Sequence, residues 1–158
     1  MSEPVDDAPR RVLFLCTGNS ARSIMAEAYM NAKGAPRWRA YSAGSKPTGS
    51  PNPLAIDTLS AYGTPAENPR SKSWDEFAAA EAPVMDVVVT VCDNAAGEVC
   101  PIWPMRVAKP PRKLHWSFPD PAAASGSEAE KRAAFAAVFA DIRARIDDFL
   151  ASDAAPPR

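Results

Sequence analysis

Four consecutive apolar residues, Val12-Leu13-Phe14-Leu15, run straight into Cys16-Thr17-Gly18-Asn19-Ser20-Ala21-Arg22-Ser23, and that loop runs straight into a stretch of helix formers. An unbroken apolar run of this length predicts a strand covered on both faces. Ala21–Lys33 predicts a helix, with Gly34 as the residue just beyond its end, where a left-handed conformation is needed. A buried strand, a short loop of small residues and a helix leave few choices. The strand belongs to a parallel sheet, and the loop opens at the sheet's carboxyl edge, where such sheets bind ligands.

The rest of the chain keeps the same alternation. Trp38–Ser42 predicts a short second strand. Asn52-Pro53 starts a second helix, with Asn as cap and Pro at the first helical position, and Gly63 ends it. Ser73-Trp74-Asp75-Glu76 has the spacing of a capping box before a short helix. Val84–Val91 is rich in β-branched residues and is the strongest strand signal. Ser127 and Glu130 form another capping box; beyond it Phe135, Phe139, Ile142, Ile146 and Phe149 mark one face of a C-terminal helix. A weaker strand signal falls near Met105–Ala108. Strands alternating with helices predict an α/β fold, a parallel sheet with helices on both faces. The 158 residues suit one domain, spanning residues 11–150, with tails at 1–10 and 151–158.

Eighteen Lys+Arg against nineteen Asp+Glu leave a net charge of −1, so an anion site has to be local rather than part of a broad basic field. No nucleic-acid partner is expected. Apolar runs such as Val87–Val91 are too short to span a bilayer, and residues 1–10 lack the basic start and apolar stretch of a signal peptide. A cytoplasmic protein with no membrane partner is the expectation. Three cysteines, an odd number, argue against a secreted disulfide framework and for catalytic or simply buried thiols.

Read physically, Cys16–Ser23 is an anion cradle. Successive backbone N–H groups in a tight loop can converge on oxyanion oxygens, and the positive end of the following helix adds to the field. Gly18 permits a positive φ, and Asn19 tolerates one. Arg22 can fork two donors onto a tetrahedral oxyanion. Thr17, Gly18, Asn19, Ser20, Ala21, Arg22 and Ser23 are thus the expected oxyanion binders. The same donors would stabilise a Cys16 thiolate, the nucleophile aimed at the anion's central atom, and the Ser23 hydroxyl can donate to its sulfur. The competing reading is a packed core cysteine beside a solvated arginine.

Val12–Glu27 (VLFLCTGNSARSIMAE) resembles the phosphate-binding loop of the low-molecular-weight protein tyrosine phosphatase superfamily, and Tyr41-Ser42-Ala43-Gly44 is similar to that superfamily's second strand and its exit. The resemblance implies a four-stranded parallel sheet flanked by helices, with the phosphate-binding loop after the first strand. It implies Cys16 as nucleophile, Arg22 as oxyanion clamp, Asn19 as the residue that holds the loop's shape and Ser23 as support for the thiolate.

Two further cysteines bear on the reaction. Cys92 directly follows the strongest strand, and Cys100 lies beyond a loop of small and polar residues that includes Ala95-Ala96-Gly97. Three thiols with an oxyanion cradle suggest a redox reaction. Arsenate has the shape and charge of phosphate but accepts two electrons, which a dithiol supplies on becoming a disulfide. In such a relay Cys16 attacks arsenate, Cys92 attacks the Cys16 sulfur as arsenite leaves, and Cys100 then attacks Cys92. An external thiol reductant, a thioredoxin or a glutaredoxin with a low-molecular-weight thiol, restores the dithiol. No tightly bound cofactor and no metal are expected.

The stretch Cys100-Pro101-Ile102-Trp103-Pro104 resembles the arsenate reductases of this superfamily, of the three-cysteine, thioredoxin-coupled type. Leu114-His115-Trp116-Ser117-Phe118-Pro119-Asp120-Pro121 is similar to the same branch's acid loop, which implies Asp120 as general acid. The phosphatases of the superfamily commonly carry aromatic residues after that Asp-Pro; here Ala122 and Ala123 follow, which argues against an aryl phosphate. Some reductases of the branch hold a potassium ion through a Glu, a Ser and an Asp. Glu27 and Ser42 match, but the region of the Asp reads Arg70-Ser71-Lys72-Ser73.

An arsenate reductase is therefore expected, one that can keep residual phosphatase activity. Alternatives are a phosphate-monoester phosphatase working through a phosphocysteine, and a zinc or thiol-sensing module using the three cysteines and His115. The cysteine spacing disfavours the last, because structural zinc sites pair ligands two to four residues apart. Blander roles also stand beside the functional ones: Cys92 as a core thiol, Cys100 as an unused surface thiol, Asp120 as a turn former and His115 as a hydrogen-bonding residue.

Overall fold

A computed structural model describes residues 9–66, 69–77, 85–91 and 112–152. Four strands, β1 (Arg10–Cys16), β2 (Trp38–Gly44), β3 (Val87–Thr90) and β4 (Arg112–His115), form one parallel sheet in the order β2-β1-β3-β4. Three helices, α1 (Arg22–Gly34), α2 (Pro53–Ala61) and α3 (Glu128–Ser152), and two 3-10 turns, Trp74–Phe77 and Pro121–Ala123, complete the described elements. The α/β fold with a four-stranded parallel sheet is as the sequence predicts.

The apolar run at the start of β1 is buried on both faces because β1 is a central strand. Val12 and Phe14 face a large cluster with α1, α2 and α3, where Met25, Leu59, Phe139 and Ile142 are fully buried. Leu13 and Leu15 face the other side, in a smaller cluster with Ala43, Met85 and Val88, against which Trp74 and Phe77 pack. Among the described residues, that second face is covered by the 3-10 turn.

Most end signals behave as predicted. Asn52 Oδ1 accepts from the Leu54 N–H at 2.9 Å with Pro53 at the first helical position. Gly63, at φ +76°, turns the chain just after α2. Ser127 and Glu130 close a reciprocal box: the Ser127 N–H donates to Glu130 Oε1 at 2.9 Å and the Glu130 N–H to Ser127 Oγ at 3.1 Å.

Three expectations need correcting, and one strand was not foreseen. Gly34 is the last residue of α1 and has no positive φ; a Cβ there would sit 3.0 Å from the Trp38 Cβ, so a close approach to β2, rather than a left-handed turn, accounts for the glycine. The Ser73 box stays half closed, because Glu76 pairs with Arg70 at 3.0 Å and only a one-turn 3-10 helix forms. The strand predicted over Val84–Val91 is confined to Val87–Thr90. The fourth strand is Arg112–His115; it is an edge strand with mostly exposed side chains, so it carries no apolar signature. The weaker signal near Met105–Ala108 lies outside the described residues; of the tails expected at 1–10 and 151–158, Arg10 belongs to β1 and residues 151–152 to α3, and residues 1–8 and 153–158 lie outside the described residues. No helix among the described residues is long and apolar enough to cross a membrane.

Tyr29 ties α1 to α3. Its ring meets Phe139 edge-on at 5.9 Å, and its hydroxyl donates to Asp147 Oδ1 at 2.8 Å. Burial and then the Asp147 carboxylate push the phenol up from 10.0 to about 12. A raised folded pKa means that the hydroxyl's stabilisation is complete below pH 10 and is lost as pH rises through about 12. Urea titrations should therefore show wild type more stable than Tyr29→Phe by about 1 kcal/mol in neutral buffer. That gap should close through the alkaline window, whereas a pH-independent gap would remove the assignment.

Candidate active site

Cys16 ends β1 in parallel register with Gly44 of β2, and is nearly buried. The peptide planes of the loop after it are turned by their carbonyls. Thr17 C=O accepts from the Lys46 N–H at 2.9 Å, Gly18 C=O from the Thr48 N–H at 3.0 Å, and Ser20 C=O from the Asn52 N–H at 2.8 Å. Ser71 Oγ also donates to Gly18 C=O, at 3.0 Å. In a trans peptide the C=O and the next N–H point in opposite directions. Outward carbonyls at 17, 18 and 20 therefore turn the amides of Gly18, Asn19 and Ala21 inward. The Asn19 N–H shows this directly, donating to Cys16 Sγ at 3.2 Å.

The sulfur has a second neighbour in Ser23 Oγ, 2.9 Å away. Ser23 Oγ accepts from Asn19 Nδ2 at 2.9 Å, which leaves its own hydrogen for the sulfur. Asn19 Oδ1 accepts from the Lys72 N–H at 2.8 Å. Both ends of the fully buried Asn19 amide are thus occupied, and its backbone sits at φ +47°. The left-handed residue of the loop is Asn19, with no positive φ at Gly18. Gly18 instead lies close to the segment outside it, a Cβ there falling 3.2 Å from Thr48 Cγ2.

Arg22 opens α1 and is 6% exposed, with Nη1 donating to Phe118 C=O at 3.0 Å. Ala21, at the N-cap of α1, makes no side-chain cap bond, and the first amides of a helix carry its positive end. Phe118 lies two residues before Asp120, so Arg22 anchors the segment expected to carry the acid. Asp120 itself is exposed and caps the 3-10 turn Pro121–Ala123, its Oδ1 accepting from the Ala122 N–H at 3.0 Å. His115 is exposed and shares a 2.7 Å hydrogen bond with Thr90. Cys92 and Cys100 lie outside the described residues. Val91, which precedes Cys92 in sequence, donates its N–H to Leu15 C=O at 2.9 Å, beside Cys16.

The family model for low molecular weight phosphotyrosine protein phosphatases matches residues 11–155. The chain belongs to that family. Within it, an arsenate reductase of Bacillus subtilis is 39% identical over 138 residues, covering 87% of this chain and 93% of that one. The crystal structure of an arsenate reductase from Archaeoglobus fulgidus superposes with a TM-score of 0.63 at 28% identity, covering 86% of this chain and 98% of that one. A Corynebacterium glutamicum thioredoxin-dependent arsenate reductase shares the fold, with a TM-score of 0.63 at 23% identity over 94% of this chain and 63% of that one.

In this member of the phosphatase family, the donors that match a potassium site are already engaged. Lys72 Nζ lies 3.8 Å from Glu27 Oε1 and 3.4 Å from Ser42 Oγ, and donates to Arg70 C=O at 2.9 Å. Ser42 Oγ in turn donates to Glu27 Oε1 at 2.5 Å. Burial pushes the Glu27 carboxyl up against the pull of Lys72, and burial likewise lowers the Lys72 ammonium against the pull of Glu27. A second cation at this position would meet the ammonium, so the residues present do not fit potassium.

Sequence reasoning missed the structural parts played by Gly44 and Ser71. A Cβ on Gly44 would lie 2.4 Å from the Thr17 carbonyl oxygen and 3.0 Å from the Asn19 nitrogen. Both neighbours are backbone of the loop itself. The only sequence signal was a glycine where a strand ends. Gly44→Ala should cost about 3 kcal/mol in a chemical unfolding titration. Gly18→Ala, whose Cβ meets side-chain atoms alone, the nearest a Thr48 methyl at 3.2 Å, should cost about 1 kcal/mol. Equal costs would contradict this account of the loop.

Proposed function

We propose that this protein is an arsenate reductase that converts As(V) to As(III) through Cys16, Cys92 and Cys100. The observation that carries the reading is the 39% identity over most of the chain to a Bacillus subtilis arsenate reductase, met by a thiol held under inward-facing amides. The Cys16 thiolate attacks arsenic, and an oxygen leaves as water, with Asp120 as the proton donor. Arg22 and the amides of residues 17–23 hold the remaining oxygens as charge shifts onto them. The Cys92 thiolate then attacks Cys16 Sγ. The electron pair of the sulfur–arsenic bond stays on arsenic, arsenite departs, and a Cys16–Cys92 disulfide remains. Cys100 attacks Cys92, returning the Cys16 thiolate and leaving Cys92–Cys100. Two electrons from two thiols balance the step from As(V) to As(III).

The hydrogen bond from Val91 to Leu15 supports the handover, since each of the two residues directly precedes a cysteine of the relay. The final disulfide calls for an external dithiol of thioredoxin or glutaredoxin type. Free thiols between turnovers suit a reducing compartment, the cytoplasm. Ala122 and Ala123 supply no ring to stack on an aryl phosphate, so phosphatase action is at most a side activity.

One turnover of arsenate without external reductant should consume two thiols per chain, and peptide mapping should place the bond at Cys92–Cys100. Cys92→Ser should lose multiple turnover by at least about a hundredfold. Unchanged arsenate turnover in that variant would overturn the relay.

A further inference from the structure

We infer that the Lys72 ammonium is a built-in structural cation that positions the Cys16 loop, making Lys72 a positioning residue for the chemistry and rendering the site indifferent to dissolved monovalent cations. The inference rests on reading Cys16–Ser23 as an oxyanion cradle, and its test separates the two.

Lys72 is only 8% exposed and uses all of its polar atoms on the surroundings of the loop. Its N–H holds Asn19 Oδ1, and its C=O accepts from the Gly44 N–H at 2.9 Å, the glycine that lies against Thr17. Its Nζ meets Arg70 C=O, Ser42 Oγ and Glu27 Oε1. Glu27 stands one helical turn after Ser23, on the same side of α1. The ammonium therefore joins α1, β2 and the 69–77 segment at the one place where the backbone of that segment grips Asn19. From there a continuous path runs to the reacting atom: Lys72 N–H to Asn19 Oδ1, Asn19 Nδ2 to Ser23 Oγ, and Ser23 Oγ to Cys16 Sγ.

Without the ammonium, a largely buried carboxylate and the Arg70 and Ser42 oxygens would face one another unbalanced. The 69–77 segment would draw back, taking with it the bond that fixes Asn19. A dissolved cation of suitable size can answer the same oxygens only when the lysine side chain is removed. Cation dependence is thus the property that distinguishes a charge-supplying role from simple packing.

The test uses inorganic phosphate as probe and the alkylation of Cys16 by iodoacetamide as readout, in the full chain with Cys92 and Cys100 both changed to Ser. In sodium, potassium or ammonium chloride of equal ionic strength, phosphate should protect Lys72-containing protein equally. Lys72→Ala should bind phosphate about tenfold more weakly in sodium, with binding recovered in potassium or ammonium. Lys72→Met, which fills the space without charge, should show the loss without the recovery. If Lys72→Ala does not fold, the Lys72→Met loss against wild type carries the test alone. Full protection in Lys72→Met, or cation-dependent protection in Lys72-containing protein, would overturn the role of Lys72. Absence of phosphate protection in Lys72-containing protein would overturn the cradle, and with it this inference.

Discussion

The outward pull on three carbonyls of the Cys16–Arg22 loop is the constraint on which the rest depends. Residues 46, 48 and 52 donate backbone N–H groups to Thr17, Gly18 and Ser20, and each bond rotates a whole peptide plane. Because a planar peptide cannot turn its carbonyl without turning its amide, satisfaction on the outer side turns the amides of Gly18, Asn19 and Ala21 to the inner side. The proposed oxyanion cradle is thus shaped by bonds on its outer side. The segment following β2 is therefore as much a part of the site as the loop itself.

A second ring of contacts holds those planes in place. Asn19 adopts a left-handed conformation that an ordinary side chain resists, and its amide is fastened at both ends in the interior. The Lys72–Glu27 pair beneath it is costly to bury, which burial reveals by moving both groups toward neutrality. Such a pair adds little net stability over apolar packing, but removing one partner strands the other. The arrangement therefore behaves as a register device, with the cost of misplacement concentrated at the loop.

The most legible parts of the chain were those whose signal is local. The apolar run of β1 reported a strand buried on both faces, and the Asn52 cap and the Ser127–Glu130 box marked their helix starts, because capping is settled within a few residues. The Cys-x-x-x-x-x-Arg loop reads as an anion cradle through its small residues, and its predicted place between strand and helix is the one observed. Where long-range partners intervened, local reading failed. Glu76 left its capping partner for Arg70. β4, rich in Lys and Arg, became a strand only because β3 offered it an edge. Gly34 was needed for its missing Cβ rather than for its torsion freedom.

By itself, the sequence determined the alternation of strands and helices, the candidate nucleophile Cys16 and candidate clamp Arg22, and the two alanines directly after Pro121, since each is written in residue type and spacing. Only the tertiary structure decided which loop residue takes the positive φ, that Gly44 must lack a side chain, and that a lysine ammonium meets Glu27 and Ser42. The physical reason is the same in each case: these features depend on backbone segments far apart in the chain meeting within a few ångströms, and no local pattern encodes that distance.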